Sequence, residues 1–116
     1  MDQMELEQEP SRIADVTVFR LKGPFTLSTM FDLQGTLRDP ELKGVIIDLA
    51  GVPYMDSAGL GVLLRQYAHA QRCGLRFALT GMSPRVRTNF EITQTDRILP
   101  IFATQAEAEN SFAAGS

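Results

Sequence analysis

The chain has very little of what covalent and metal chemistry usually draw on. Its 116 residues include one cysteine, Cys73, and one histidine, His69. A lone cysteine forms no internal disulfide, and one Cys with one His cannot assemble a metal site of that kind, so no metal or other cofactor is expected. Both scarcities fit a reducing compartment. No apolar stretch approaches the ~20 residues needed to span a bilayer. The opening Met1-Asp2-Gln3-Met4-Glu5-Leu6-Glu7 is acidic and lacks the apolar run of a secretory signal. Excess charge is missing too: 11 basic and 14 acidic residues leave a net charge of -3. That balance suggests neither a basic nucleic-acid surface nor an acidic disordered chain. The expectation is a soluble cytoplasmic protein with no nucleic-acid or membrane partner, recognising others by local shape and chemistry.

What is present is enough for a core. Apolar residues make up 44% of the chain, and no repeat, low-complexity tract or linker divides it. One domain over residues 1–116 is expected, with its core at about residues 4–113. Met4 to Ile13 reads as an edge strand because of Pro10, pairing as a hairpin with the β-branched run Val16–Lys22. After Gly23-Pro24, Ser28 or Thr26 is placed to cap a helix carrying Met30, Leu33 and Leu37, which Asp39-Pro40 stops. Gly44–Leu49 is an unbroken apolar run, as in a strand covered on both faces.

Ser57 to Cys73 forms the longest helix, closed by Gly74 in the left-handed conformation. Leu75–Thr80 is the next strand. Ser83-Pro84 starts a helix that buries Val86 and Phe90, a short strand follows at Ile98–Phe102, and Thr104 with Glu107 forms a capping box for a last helix. Strands alternating with helices predict an α/β fold: a mixed, mostly parallel sheet of about five strands, with helices mainly on one face. Strand order does not follow from these patterns.

The informative segment runs from Asp48 to Leu64, where a buried strand enters a short loop and Asp56-Ser57 begins a helix. The free N–H groups of Ala58, Gly59 and Leu60 carry the positive end of the helix dipole there, a place that tolerates an anion. With residues 100° apart, Leu60, Leu63, Leu64 and Tyr67 share the core side, while Ala58, Val62, Arg65, His69 and Arg72 lie opposite. Val62 then stands as an apolar residue on a polar stripe beside small Ala58 and Gly61, which reads as a docking patch or as an isolated exposed side chain. By position alone, Ser57 reads as a plain N-cap bonding the N–H of Gly59 or Leu60. Asp56 reads as a turn residue, as part of a recognition site for a modifying enzyme, or as both.

Other chemistries find no support in these residues. Gly59-Leu60-Gly61 would need a third glycine where Leu64 stands to be a dinucleotide fingerprint, and the Gly-Lys-Ser/Thr of a phosphate loop is absent. His69 lies about 18 Å along the helix axis from Ser57, too far to act as its general base. Cys73 has no histidine or carboxylate patterned around it, and reads as filler.

The run Val52-Pro53-Tyr54-Met55-Asp56-Ser57-Ala58-Gly59-Leu60-Gly61-Val62 resembles the phosphorylation-site motif of anti-sigma factor antagonists, proteins built on the STAS domain. The resemblance extends from Val16–Leu21 through Thr80–Pro84 to Asp96–Phe102. It implies a non-enzymatic partner switch. The unmodified domain binds an anti-sigma factor that is also a serine kinase, which frees the sigma factor. Phosphorylation of Ser57 ends binding, and a serine phosphatase resets the cycle. Asp56, Ser57, Ala58, Gly59, Gly61, Val62, Arg65 and Thr26 would form the partner surface.

The chain departs from the family pattern in two places. Thr26 stands where an aspartate is usual, which reduces the local charge near Ser57, and Gln94 stands where glycine usually follows a helix. A second reading is a STAS subunit of a stress-sensing scaffold or of a lipid or anion transporter complex. The partner's identity, the stimulus and the oligomeric state are not encoded in these patterns.

Overall fold

The computed structural model describes residues 3–114; Met1 and Asp2, which begin the acidic opening stretch, and Gly115 and Ser116 lie outside the described residues. The mostly polar Glu5–Pro10 forms the edge strand β1, and the β-branched and apolar runs form β2 (Val16–Lys22), β3 (Gly44–Gly51), β4 (Arg76–Thr80) and β5 (Ile101–Phe102). They line up in sequence order, β1 antiparallel to β2 and every later pair parallel. Four helices connect or follow them: α1 (Phe31–Thr36), α2 (Ser57–Cys73), α3 (Pro84–Thr93) and α4 (Gln105–Ala114).

Strand order explains where the helices go. Each parallel crossover steps one strand in the same direction, and right-handed crossovers then put their helices on one face. Leu33 of α1, Leu63 of α2 and Phe90 of α3 accordingly share one buried cluster with Phe19, Ile47 and Leu79 of the sheet. Among the described residues α4 is the helix on the other face, where its Ala108 and Phe112 pack on Val18, Ile46 and Ala78. One face of the sheet thus carries three helices and the other carries α4, so β3 is covered on both faces and reads as almost wholly apolar.

The hairpin turns at Asp15, which takes φ 67. It is stapled to α4 by Glu109, a buried carboxylate that accepts from Ser11 Oγ at 2.5 Å and from the Arg12 N–H at 3.3 Å, and pairs with the Arg12 guanidinium at 3.3 Å. Burial pushes this carboxyl up. The bonds from Ser11, Gln105 and Arg12, with the Arg12 charge, more than offset that and hold it below its ordinary value. Along β1, Glu5, Glu7 and Glu9 lie exposed on the α4 side of the sheet, opposite Lys22, Arg20 and Val18; Glu7 pairs with Lys22 at 3.0 Å, and Glu9 with Arg20.

Several expected boundaries move. Neither Thr26 nor Ser28 caps α1. The helix begins at Phe31 with Met30 as its N-cap and no side-chain bond, while Thr26 closes a preceding turn in which its carbonyl accepts from Thr29 and Met30 N–H. The expected strand at Ile98–Phe102 shrinks to Ile101–Phe102, because Thr95–Arg97 forms a 3-10 turn and Ile98 is exposed. Gln94, standing where a glycine is usual, still takes the left-handed conformation at φ 60 and caps α3, at the steric cost of a side chain there. The helix from Ser57 to Cys73 with Gly74 at φ 68, and the Ser83 cap with Pro84 behind it, stand as expected.

Candidate functional site

The site is assembled where the loops leaving β2 and β3 zip together. The Phe25 N–H donates to the Tyr54 carbonyl at 3.1 Å and the Asp56 N–H to the Phe25 carbonyl at 3.3 Å, a parallel bridge that pairs Phe25 with Met55. Both apolar side chains are buried, so they anchor the two loops to the core. α3 adds a third tie: Asn89 Nδ2 donates to the Met55 carbonyl at 2.8 Å, and the Arg85 guanidinium lies 5.2 Å from the centre of the Tyr54 ring.

That framework sets the start of α2. Asp56 is extended (φ -101, ψ -177) and is the N-cap, its Oδ1 accepting from the Gly59 N–H at 2.9 Å. Its Oδ2 accepts from the Leu27 N–H at 3.0 Å, across the loop. Burial raises this carboxyl, but the N–H groups of Leu27, Gly59, Ala58 and Asp56 itself outweigh it and hold the pKa below the ordinary value. The Asp56 carboxylate therefore already stands at the positive end of α2, and an incoming anion would share that end with it.

Ser57 is the first residue inside the helix. It is not the cap; its side chain is exposed and makes no hydrogen bond among the described residues. The Ser57 hydroxyl thus faces solvent at a helix start that its neighbour caps. Ala58 and Gly61 are half-buried and Arg65 is exposed, so these line the same surface. Thr26 is half-buried on the adjoining loop, with its hydroxyl accepting from the Ser28 N–H at 3.3 Å.

Two expected surface residues are elsewhere. Val62 is only 2 % exposed and belongs to the main core cluster with Leu33 and Leu37. α1 lies along this side of α2, leaving only a small cleft lined by Gln34, Leu37, Val62 and Arg65, so the stripe opposite the sheet is not all solvent-facing. Gly59 is buried as well: a Cβ there would strike the Phe25 carbonyl oxygen and lie 2.9 Å from Met55 Cγ. Its role is to let the two loops close, whereas a Cβ at Gly61 would meet only the end of the Arg65 side chain, at 3.2 Å.

The sequence reading passed over Leu27, 59 % exposed on the loop that Asp56 holds, and Phe31, 61 % exposed at the first position of α1. The available signal was two large apolar residues close together beside polar Thr26, Ser28 and Thr29. It also missed the spacing of His69 and Cys73. One turn apart on α2, they bring Sγ to 3.8 Å from Nδ1, so a histidine does stand beside the thiol. Among the described residues no group of three or more His, Cys, Asp or Glu is placed to hold a metal ion, and no helix is long and apolar enough to cross a membrane.

Known proteins share this architecture. A family model for the STAS domain matches residues 7–108. An anti-sigma F factor antagonist from Paenibacillus polymyxa is 24% identical over 109 residues, covering 90% of this chain and 93% of that protein. An anti-sigma factor antagonist structure from Mycobacterium paratuberculosis superposes with a TM-score of 0.82 at 21% identity, covering 93% of this chain and 92% of the other. The phosphorylated form of the Bacillus cell fate determinant SpoIIAA superposes at 0.71 with 20% identity, covering 93% and 99%.

Proposed function

The chain belongs to the STAS domain family, and from that premise we propose that it is an anti-sigma factor antagonist. In this reading its unmodified form binds an anti-sigma factor that is also a serine kinase and so releases the sigma factor. The kinase transfers the γ-phosphoryl group of ATP to Ser57 Oγ, ADP leaves, and the complex comes apart. A serine phosphatase hydrolyses the phosphoester and restores the binding form. The chain itself catalyses nothing.

The observation that carries this reading is the exposed, unbonded Ser57 hydroxyl on a helix start that its neighbour caps. A phosphoryl group would add roughly -1.5 to -2 charges beside the Asp56 carboxylate. Because Asp56 already takes the Gly59 and Leu27 N–H groups, the new charge shares the helix start with a like charge. A partner seated closely over Ala58 and Gly61 then meets repulsion and a desolvation cost where it had met a small hydroxyl. Asp56, Ser57, Ala58, Gly61, Arg65 and Thr26 form the contacting surface; Gly59 and Val62 support it from beneath. The neighbours named as anti-sigma factor antagonists, and the phosphorylated state in which one was solved, support the same reading.

The test is to incubate the chain with ATP and its cognate kinase and to locate added phosphate by peptide mass spectrometry. A single phosphate on Ser57, with loss of kinase binding, is expected. Phosphate on another serine, or undiminished binding after Ser57 is modified, would overturn it.

A further inference from the structure

A second concave site lies at the far end of α2. With a rise of ~1.5 Å per residue, its α2 lining from Gln66 to Cys73 stands about 14 to 24 Å from Ser57 along the helix. It is a cleft of about 510 Å³ between α2, the loop joining α1 to β3, and the start of β4. That volume falls within the range of small-molecule sites, roughly 300–1,000 Å³.

The lining is divided by polarity. Leu37, Val45 and Phe77 are buried beneath it, while Leu42 and Leu75 are only partly covered and keep apolar surface open to the cleft. The mouth carries Arg38, Lys43 and His69, all exposed. Arg38 and Lys43 form no ion pair among the described residues. The one acid at the mouth, Asp39, turns an oxygen back to the Glu41 N–H at 2.9 Å and so closes its own loop. Arg76 also borders the cleft, but its guanidinium lies 6.0 Å from the centre of the Phe112 ring, on the opposite face of the sheet. The carbonyl end of α2 favours nearby cations. Arg38 and Lys43, however, come from the loop and not from that helix.

An apolar floor beneath two cations without partners matches one ligand chemistry. We propose that this cleft binds a small organic anion with an apolar body, about the size of a medium-chain carboxylate. The apolar portion lies on Leu42, Leu75 and Phe77, and the carboxylate accepts charge-assisted hydrogen bonds from Arg38 and Lys43. The site is separate from Ser57, so it stands or falls independently of the partner switch.

The test is to titrate the full chain with sodium decanoate and follow backbone amide chemical shifts, with decyltrimethylammonium as the charge-inverted control. Saturable shifts confined to Leu42, Val45, Ala70 and Phe77 are expected with decanoate and not with the cation. In Arg38→Glu/Lys43→Glu, which alters exposed residues only, decanoate binding weakens about tenfold or more. Decanoate also slows alkylation of Cys73, the single thiol, which lines the same cleft. No saturation by about 1 mM, the weak end of ordinary affinities, would overturn the proposal. So would equal binding of both amphiphiles, or a double variant that binds decanoate as well as the parent.

Discussion

The Asp56 carboxylate joins the start of α2 to the backbone of Leu27, with one oxygen on the Gly59 N–H at 2.9 Å and the other on the Leu27 N–H at 3.0 Å. One side chain therefore satisfies an orphan donor of the helix and fixes a loop that lies 29 residues earlier in the chain. Asp56→Ala is expected to lower stability by about 1 kcal/mol, the usual cost of a lost N-cap. Faster hydrogen exchange at the Leu27 and Gly59 amides should accompany it. Asp56→Asn keeps an acceptor and loses less. Urea titration and exchange together check this; an unchanged Leu27 amide in the alanine variant would show that the loop does not depend on Asp56.

Ser57→Ala is expected to bind the anti-sigma partner as the parent does and to resist release by ATP. Ser57→Glu is expected to bind at least several-fold more weakly, since a carboxylate carries less charge than phosphate. Isothermal titration of each form gives the comparison. Equal affinities for all three would separate Ser57 from the switch.

The two glycines at the head of α2 are expected to behave in opposite ways. A Cβ at Gly59 has the Phe25 carbonyl and Met55 in its path, and Gly59→Ala should cost about 2 kcal/mol or more. At Gly61 only the flexible end of Arg65 is near, so Gly61→Ala should stabilise the fold by up to about 1 kcal/mol through helix propensity. A Gly61→Ala protein that is more stable yet binds its partner less well would identify Gly61 as a point of close approach.

Val62→Ala is expected to cost about 2 kcal/mol, the sum of lost transfer energy and a small cavity beside Leu33 and Leu37. Because the side chain is buried, affinity measured on the folded protein should not change. A loss of affinity with no loss of stability would return Val62 to the binding surface.

Acid sensitivity should centre on Asp56 and Glu109, both held below their ordinary values of 3.8 and 4.5. A carboxyl whose folded pKa is depressed contributes its full stabilisation above the unfolded value and loses it as pH falls through the lower folded value. Stability should therefore be flat from pH 7 to about 5 with respect to these groups, and decline below that. Glu109→Gln should flatten the decline. A Glu109→Gln profile parallel to that of the parent would place the acid sensitivity elsewhere.

Much of this architecture was legible because its signals are local. Asp56-Ser57 before an apolar period and Gly74 after it bound α2 without reference to the rest of the chain, and Ser83-Pro84 did the same for α3. Its place at a helix start put Ser57 at the surface, while the cap bond to Gly59 read for it belongs to Asp56. What escaped depends on who the neighbours are. A helical projection assigns one buried face, and Val62 falls on a second one that exists only because α1 packs there. Gly59 looked like a surface residue because a backbone carbonyl from another loop, Phe25, leaves no mark at its position in the sequence. The same holds for the choice between Asp56 and Ser57 as cap: both residue types cap helices, and the bridge from Phe25 to Met55 decides the register.

The row of Glu5, Glu7 and Glu9 ending at Pro10 gives the free margin of the sheet a second consequence. An identical margin approaching from another molecule would bring carboxylates against carboxylates, and would find no amide hydrogen at the proline. Fibril growth by stacking copies along that side is thereby discouraged, and the chain can accumulate in a crowded cell without its outermost strand becoming a template.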